Sequence, residues 1–327
     1  MDGRVAAGTG SIAGDHSSIL ILRLSALGDV IHTIPAVVAL RQALPRARMA
    51  WVVEAAYREF VEIVAGVEAV PLSMKRWGRN LIASRPEMAA ARSALSGFET
   101  SVDFQGLVKS AALGFLSGAR RRYGFDRAAI RETPALLFTN SRISVDRSQH
   151  VVDWNLALAG QVGGRTLSHP AVDYSRFAGA GPDGFSGSVA LLPGAGKAFK
   201  QWPVERFREL ARRLGDRAVV VWGPGEESLA RAIAEGVEGC RIAPRTNLRE
   251  LAHVLAGASM VVGGDTGPLH LASAMRTPVV GLYGPTSERR NGPYGQLQNC
   301  ISTFETSKTM DSISVDEVMR KIEAGAR

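Results

Sequence analysis

Short apolar runs alternating with glycine-rich polar turns set the pattern of this chain. Ser18–Leu24 (SILILRL), Met49–Val53, Thr100–Phe104, Ser188–Leu192, Ala218–Trp222 and Val279–Tyr283 are apolar and of strand length, as expected of strands covered on both faces. Between them lie helical stretches: AVVALRQAL after Pro35, Ala55–Ala65, QGLVKSAALGFLSG from Gln105, His150–Leu158, the segment opened by Trp202-Pro203, Leu269–Met275 and Ser312–Ala324. This βα rhythm predicts an α/β chain with parallel strands. Residues 163–187 break it: GGRTLSHP and AGAGPDGFSGS are rich in Gly, Ser and Pro without a helical period, and residues 176–187 read as a hinge between domains 18–175 and 188–307.

The most pointed stretch is Met260–Thr286. A short apolar run turns through Gly263, Gly264, Asp265, Thr266 and Gly267 into a helix opened by Pro268, with His270 close behind. A strand, a glycine-rich turn and a helix N-terminus make an anion site, because free N–H groups and the helix dipole face the same way. Helix capping by Asp265 or Thr266 is the plainer alternative. The three glycines are read as clearing space for a ligand. The first strand leads into Ser25-Ala26-Leu27-Gly28-Asp29. With Pro35 taken as a first-turn proline, the helix is predicted to start near Thr33, leaving Asp29 in the loop at the carboxyl end of the first strand, where α/β proteins bind ligands. His32 reads as a partner or packing residue.

Composition narrows the class. At 327 residues the chain fits two domains, and no apolar run reaches the ~18 residues of a membrane span. Residues 1–17 read as a disordered tail rather than a signal peptide, and two cysteines without a CxxC pair point to a reduced, cytoplasmic protein. Of the net charge of +8, residues 1–180 carry +6 (21 Lys/Arg against 15 Asp/Glu), so an anionic partner or a solvated basic face belongs to that half. Lys75, Arg76 and Arg79 form a basic loop around Trp77. Lys109 stands in the first turns of a helix, against the dipole, and Arg120, Arg121 and Arg122 are taken as that helix's end. Arg127, Arg131 and Glu132 complete a polar connection.

In the second half, Pro193-Gly194-Ala195-Gly196-Lys197 is a backbone nest with Lys200 beside it, without Walker A spacing. Gly223-Pro224-Gly225-Glu226-Glu227 places an acid after the second strand, where dinucleotide folds bind ribose; either glutamate fits. Thr246, before the next helix, is a candidate wall for a base pocket. No Asp-x-Asp and no metal-ligand spacing occur, so no metal and no cofactor are indicated.

Taken together, RLSALGDVIHTIPA (Arg23–Ala36), DFQGLVKSAA (Asp103–Ala112), GFDR with RE, KQWPVERF (Lys200–Phe207), GPGEE, GGDTGPLHLASA (Gly263–Ala274) and YGPT resemble glycosyltransferase family 9, the ADP-heptose:lipopolysaccharide heptosyltransferases. The resemblance runs from residue 18 through nearly the whole chain. It implies a GT-B architecture, two facing Rossmann-like domains with a cleft between them, and a final helix (308–327) returning to the N-terminal domain. It implies that Asp29 is the general base. Gly194, Ala195, Gly196, Lys200, Glu226, Thr246, Asp265, Thr266, Gly267 and His270 are then expected to bind an ADP-heptose donor. Lys75, Arg76, Arg79, Gln105, Lys109, Arg120 and Arg127 are expected to face an anionic Kdo-lipid A acceptor. Transient contact with the inner membrane and no nucleic-acid partner complete the expectation. Where family members often carry hydroxyls in the phosphate loop, this chain has Ala195 and Gly196. A transferase for the second heptose or another acceptor, and a non-catalytic nucleotide-sugar-binding protein, are the competing readings.

Overall fold

In a computed structural model, residues 16–74 and 85–325 are described. The basic loop residues Lys75, Arg76 and Arg79, and the tail through residue 15, lie outside them.

Two six-stranded, wholly parallel sheets carry the two halves of the chain. The first holds β1 (Ser18–Leu22), β2 (Arg48–Glu54), β3 (Val67–Leu72), β4 (Thr100–Asp103), β5 (Arg121–Phe125) and β6 (Ser141–Ile143), in the order β3-β2-β1-β4-β5-β6. The second holds β7 (Val189–Leu192), β8 (Ala218–Val220), β9 (Arg241–Ile242), β10 (Met260–Gly264), β11 (Val279–Tyr283) and β12 (Ile301–Ser302), in the order β12-β11-β10-β7-β8-β9. Counted within its own half, each sheet has the Rossmann order 3-2-1-4-5-6. β1, β4, β7, β10 and β11 are buried along their length, which is why they read as unbroken apolar runs. The two Rossmann-like halves form the expected GT-B arrangement.

The helix Leu27–Ala43 packs on the helix Val151–Gly163 of its own half and, across the seam, on the helix Gly267–Ala274. One apolar core therefore runs through both halves, with Ile31, Ile34, Leu269 and Leu271 among its members. The segment read as a hinge lies on the helix Leu248–Gly257, where Gly179 approaches Arg249 and Gly181 approaches His253. Arg249 in turn reaches Glu59 (2.7 Å) and Glu62 (3.0 Å) of the first half, so the halves are tied beside the linker.

Three expectations are corrected. The first helix starts at Leu27 rather than Thr33, so Asp29 sits in its first turn. Pro35 lies inside the helix, and Asn155 from the neighbouring helix donates to the His32 carbonyl (3.0 Å) one turn before it. Arg121 and Arg122 open β5 instead of closing a helix that ends at Leu116. The last helix, Val315–Gly325, stays with the second half. Its Val315, Val318 and Ile322 share a core with Trp202 and Phe207, and Arg213 pairs with Asp316.

Candidate functional site

A parallel sheet of this order opens a crevice at the carboxyl ends of the two strands where the connection reverses. In the first half those strands are β1 and β4, and in the second β7 and β10. Asp29 follows β1, Asp103 ends β4, Gly194 follows β7 and Asp265 follows β10. Three residues chosen from sequence, Asp29, Gly194 and Asp265, thus lie at the two switch points.

Asp29 is held by two guanidiniums. Arg131 Nη2 lies 3.0 Å from both carboxylate oxygens, and the buried Arg23 places Nη2 3.3 Å from Oδ1. Arg23 is itself fixed by the carbonyl of Phe104 (2.5 Å). Burial pushes the Asp29 carboxyl up, but the Arg23 and Arg131 charges outweigh it and hold it below the usual carboxylate range. Asp29 is therefore an ionised carboxylate, one-fifth exposed. At the end of β4, Asp103 accepts N–H bonds from Gln105 (2.9 Å) and Gly106 (3.1 Å) and the Ser110 hydroxyl (3.0 Å). Its complete burial still dominates and raises it to about 6.

On the opposite side, Lys200 Nζ pairs with Asp265 Oδ2 at 2.8 Å and His270 Nε2 lies 3.2 Å from Oδ1. Burial opposes ionisation of Asp265, but the His270 and Lys200 contacts prevail and depress its pKa strongly. Thr266, the N-cap of the helix Gly267–Ala274, keeps a buried hydroxyl with no hydrogen-bond partner among the described residues. The β7 and β8 loops meet: a Cβ at Gly194 would fall 2.1 Å from the Glu226 carboxylate, which accepts the Gly223 N–H (2.8 Å). Glu227 is instead paired along its helix with Arg231 (2.6 Å), which separates the two glutamates. Gly196 has open space around it, and Ala195 and Thr246 are half-exposed in adjoining loops.

The glycines of the second turn do not clear space for a ligand. A Cβ at Gly263 would meet Leu192 (2.8 Å), and one at Gly267 would meet Leu27 (2.6 Å), so the protein itself fills those gaps. The contact is reciprocal across the seam, since a Cβ at Gly28 would lie 2.6 Å from His270 Cδ2. Around it gather four of the six histidines. His32 meets His270 (ring centroids 4.4 Å) and His150 (5.2 Å), and His169 stacks on Tyr294 (4.9 Å). His270 is thus a buried seam residue that orients Asp265.

The residues expected to face an acceptor divide. Lys109 and Arg127 follow β4 and β5 at their carboxyl ends and are exposed. Gln105 is buried, and its Oε1 accepts the Leu24 N–H (2.7 Å), so that oxygen is committed to holding the β1 loop. Arg120 lies at the other end of the sheet, because it precedes β5 and bonds the Glu99 carbonyl before β4. Sequence reasoning missed Arg23, Arg131 and Arg290 as site residues. Arg290 stands over the Trp154 ring (5.2 Å), and burial, then Arg131, lower its pKa while Asp29 raises it. Among the described residues no His, Cys, Asp or Glu group is arranged to hold a metal.

Residues 90–319 match the family described as Glycosyltransferase family 9 (heptosyltransferase). The lipopolysaccharide heptosyltransferase 1 of Escherichia coli (strain K12) is 34% identical over 93% of this chain and 99% of its own. The E. coli heptosyltransferase WaaC solved with ADP superposes with a TM-score of 0.82 at 32% identity, covering 94% of this chain and 99% of that one. The same enzyme with ADP-2-deoxy-2-fluoro heptose gives 0.79, with the same identity and coverage. This chain belongs to glycosyltransferase family 9, the heptosyltransferases.

Proposed function

We propose that this protein transfers heptose from ADP-heptose to the Kdo-lipid A inner core in lipopolysaccharide biosynthesis, by a metal-independent inverting displacement. One observation carries the reading: an ionised carboxylate, Asp29, stands at the switch point of one half, and the Lys200–Asp265–Thr266 anion turn at that of the other, with their helices in contact. Asp29 takes the proton from the acceptor hydroxyl as its oxygen attacks the anomeric carbon. ADP departs from the opposite face, as in single-displacement glycosyl transfer. Lys200, the backbone of Gly194–Gly196, the Thr266 hydroxyl and the start of the helix Gly267–Ala274 stabilise the departing diphosphate. Glu226 takes the ribose hydroxyls and Thr246 borders the base. Arg131, Arg290, Lys109 and Arg127 meet the anionic acceptor, whose charge complements the +6 of residues 1–180. No helix among the described residues is long and apolar enough to cross a membrane. The protein works on the cytoplasmic face of the inner membrane by peripheral contact.

ADP release from ADP-heptose, measured with and without Kdo-lipid A and followed by lipid mass spectrometry, tests the assignment. Acceptor-dependent release with one added heptose is expected. Release only once the acceptor already bears a heptose would move the protein to the second addition, and a bound donor with neither activity would leave a binding protein.

A further inference from the structure

Only four large apolar side chains are strongly exposed among the described residues, and three of them belong to one surface. Phe115 (52% exposed) and Leu116 (70%) end the helix Val108–Leu116, and Leu137 (81%) ends the short helical turn Thr133–Leu137 packed beside it. The Phe115 and Phe138 rings touch edge-on at 5.8 Å. The turn is braced: Arg122 donates to the Phe138 carbonyl (2.7 Å) and Arg142 to the Leu136 carbonyl (2.6 Å), so Leu137 is presented by a fixed backbone. Arg122 also lies over the Phe115 ring (5.4 Å).

The same region is the most basic of the chain. Residues 108–142 hold seven Lys/Arg (109, 120, 121, 122, 127, 131, 142) against Asp126 and Glu132, a net +5 of the total +8. Glu132 is spent on the Val108 N–H at the helix start (2.7 Å). Arg120 and Arg121 are exposed and lie at the amino end of β5, the end where the helix Val108–Leu116 finishes. Bulky apolar tips rimmed by cations on a rigid backbone match an anionic bilayer, which takes up the tips and attracts the rim.

We propose that Phe115, Leu116 and Leu137, with Arg120 and Arg121, form the surface that docks on anionic phospholipid. The helix that ends at this patch begins beside Lys109 and leads back through Glu132 to Arg131, the partner of Asp29. The nine residues of this helix span about 13 Å from its Lys109 end to the patch. The proposal rests on the transferase reading for its purpose, but not for its test.

The test is sedimentation of the purified protein with vesicles of phosphatidylcholine alone and with phosphatidylglycerol added. Binding to the anionic vesicles alone is expected. The triple variant Phe115→Ser, Leu116→Ser, Leu137→Ser, and separately Arg120→Gln with Arg121→Gln, should each weaken it by about tenfold or more, with ADP affinity unchanged. A thermal melt checks folding, and the exposed arginine pair keeps the test decisive should the triple variant not fold. Equal binding by wild type and either folded variant overturns the proposal. So does a concentration-dependent dimer that the triple substitution dissociates, since the patch would then belong to a second copy of the chain. Silence with detergent-dispersed acceptor would count against the transferase reading while leaving the vesicle result intact.

Discussion

Arg131 and Asp29 stand 102 positions apart in sequence and meet face to face, with one guanidinium nitrogen 3.0 Å from each carboxylate oxygen. Removing this cation leaves burial and Arg23 to set the protonation of Asp29. Because Arg131 favours the charged carboxylate, Arg131→Ala raises the Asp29 pKa. The acidic limb of the kcat profile should move to higher pH, so the variant is more impaired at pH 6 than at pH 8. A pH–rate profile with unmoved limbs would detach Arg131 from the base.

Asp29 and Lys200 should separate turnover from binding. Asp29→Asn keeps the shape but cannot accept the proton, and kcat should fall by about 10²–10⁴-fold with ADP affinity little changed. Lys200→Ala removes a charge-assisted contact worth about 1.5–3 kcal/mol and should raise the ADP Kd by roughly 10- to 100-fold. Calorimetry with ADP beside single-turnover kinetics distinguishes the two. An Asp29→Asn enzyme with near-normal turnover would end the base assignment.

These two sites differ in how much of them the sequence could reveal. β1, β7 and β10 are buried on both faces, so their apolar runs and the turns after them were legible, and Asp29, Gly194 and Asp265 with them. The start of the first helix was not, because Pro35 carries the local signature of a first turn although it lies in the interior of the helix Leu27–Ala43. Strands of two residues, β9 and β12, are too short to leave a period. Arg23 and Arg131 acquire meaning only through Asp29. A glycine announces a missing side chain but not its occupant, which is why Gly263 and Gly267 read as room for a ligand when Leu192 and Leu27 fill it.

His150 makes the seam sensitive to acid. Its Nδ1 accepts the Val152 N–H (3.1 Å), so Nε2 carries the proton donated to the Gly292 carbonyl of the other half (2.9 Å). Burial first, opposed by the Gly292 bond, lowers its pKa to about 4. The unfolded chain then binds the proton more readily than the folded one, so stability is full above pH ~6.5 and lost as pH falls toward 4, on the order of 2–3 kcal/mol. Asp103, raised to about 6, works in the opposite direction but equally in wild type and variant. His150→Asn retains a capping side chain and should cost about 1 kcal/mol at pH 7. That deficit should shrink or reverse at pH 5. Urea unfolding at both pH values measures it, and a pH-independent difference would contradict the neutral, buried imidazole.

The same Gly→Ala change should have opposite consequences at two glycines, because of what each would touch. At Gly194 the new methyl meets the free end of a flexible side chain, the Glu226 carboxylate at 2.1 Å, which can swing aside. Gly194→Ala should therefore change stability by less than about 1 kcal/mol while displacing the ribose contact and raising the donor KM. At Gly28 the methyl meets the buried His270 ring at 2.6 Å, fixed between Asp265 and His32. Overpacking there costs about 1–3 kcal/mol. It also pushes apart the helices that hold Asp29 and the anion turn, and a misplacement of about 1 Å lowers turnover on the order of 100-fold. Gly28→Ala should thus lower kcat and unfold earlier in urea, where Gly194→Ala does neither. Equal melting of the two variants would mean that the seam yields, and that Asp29 and Asp265 are not set against each other by this contact.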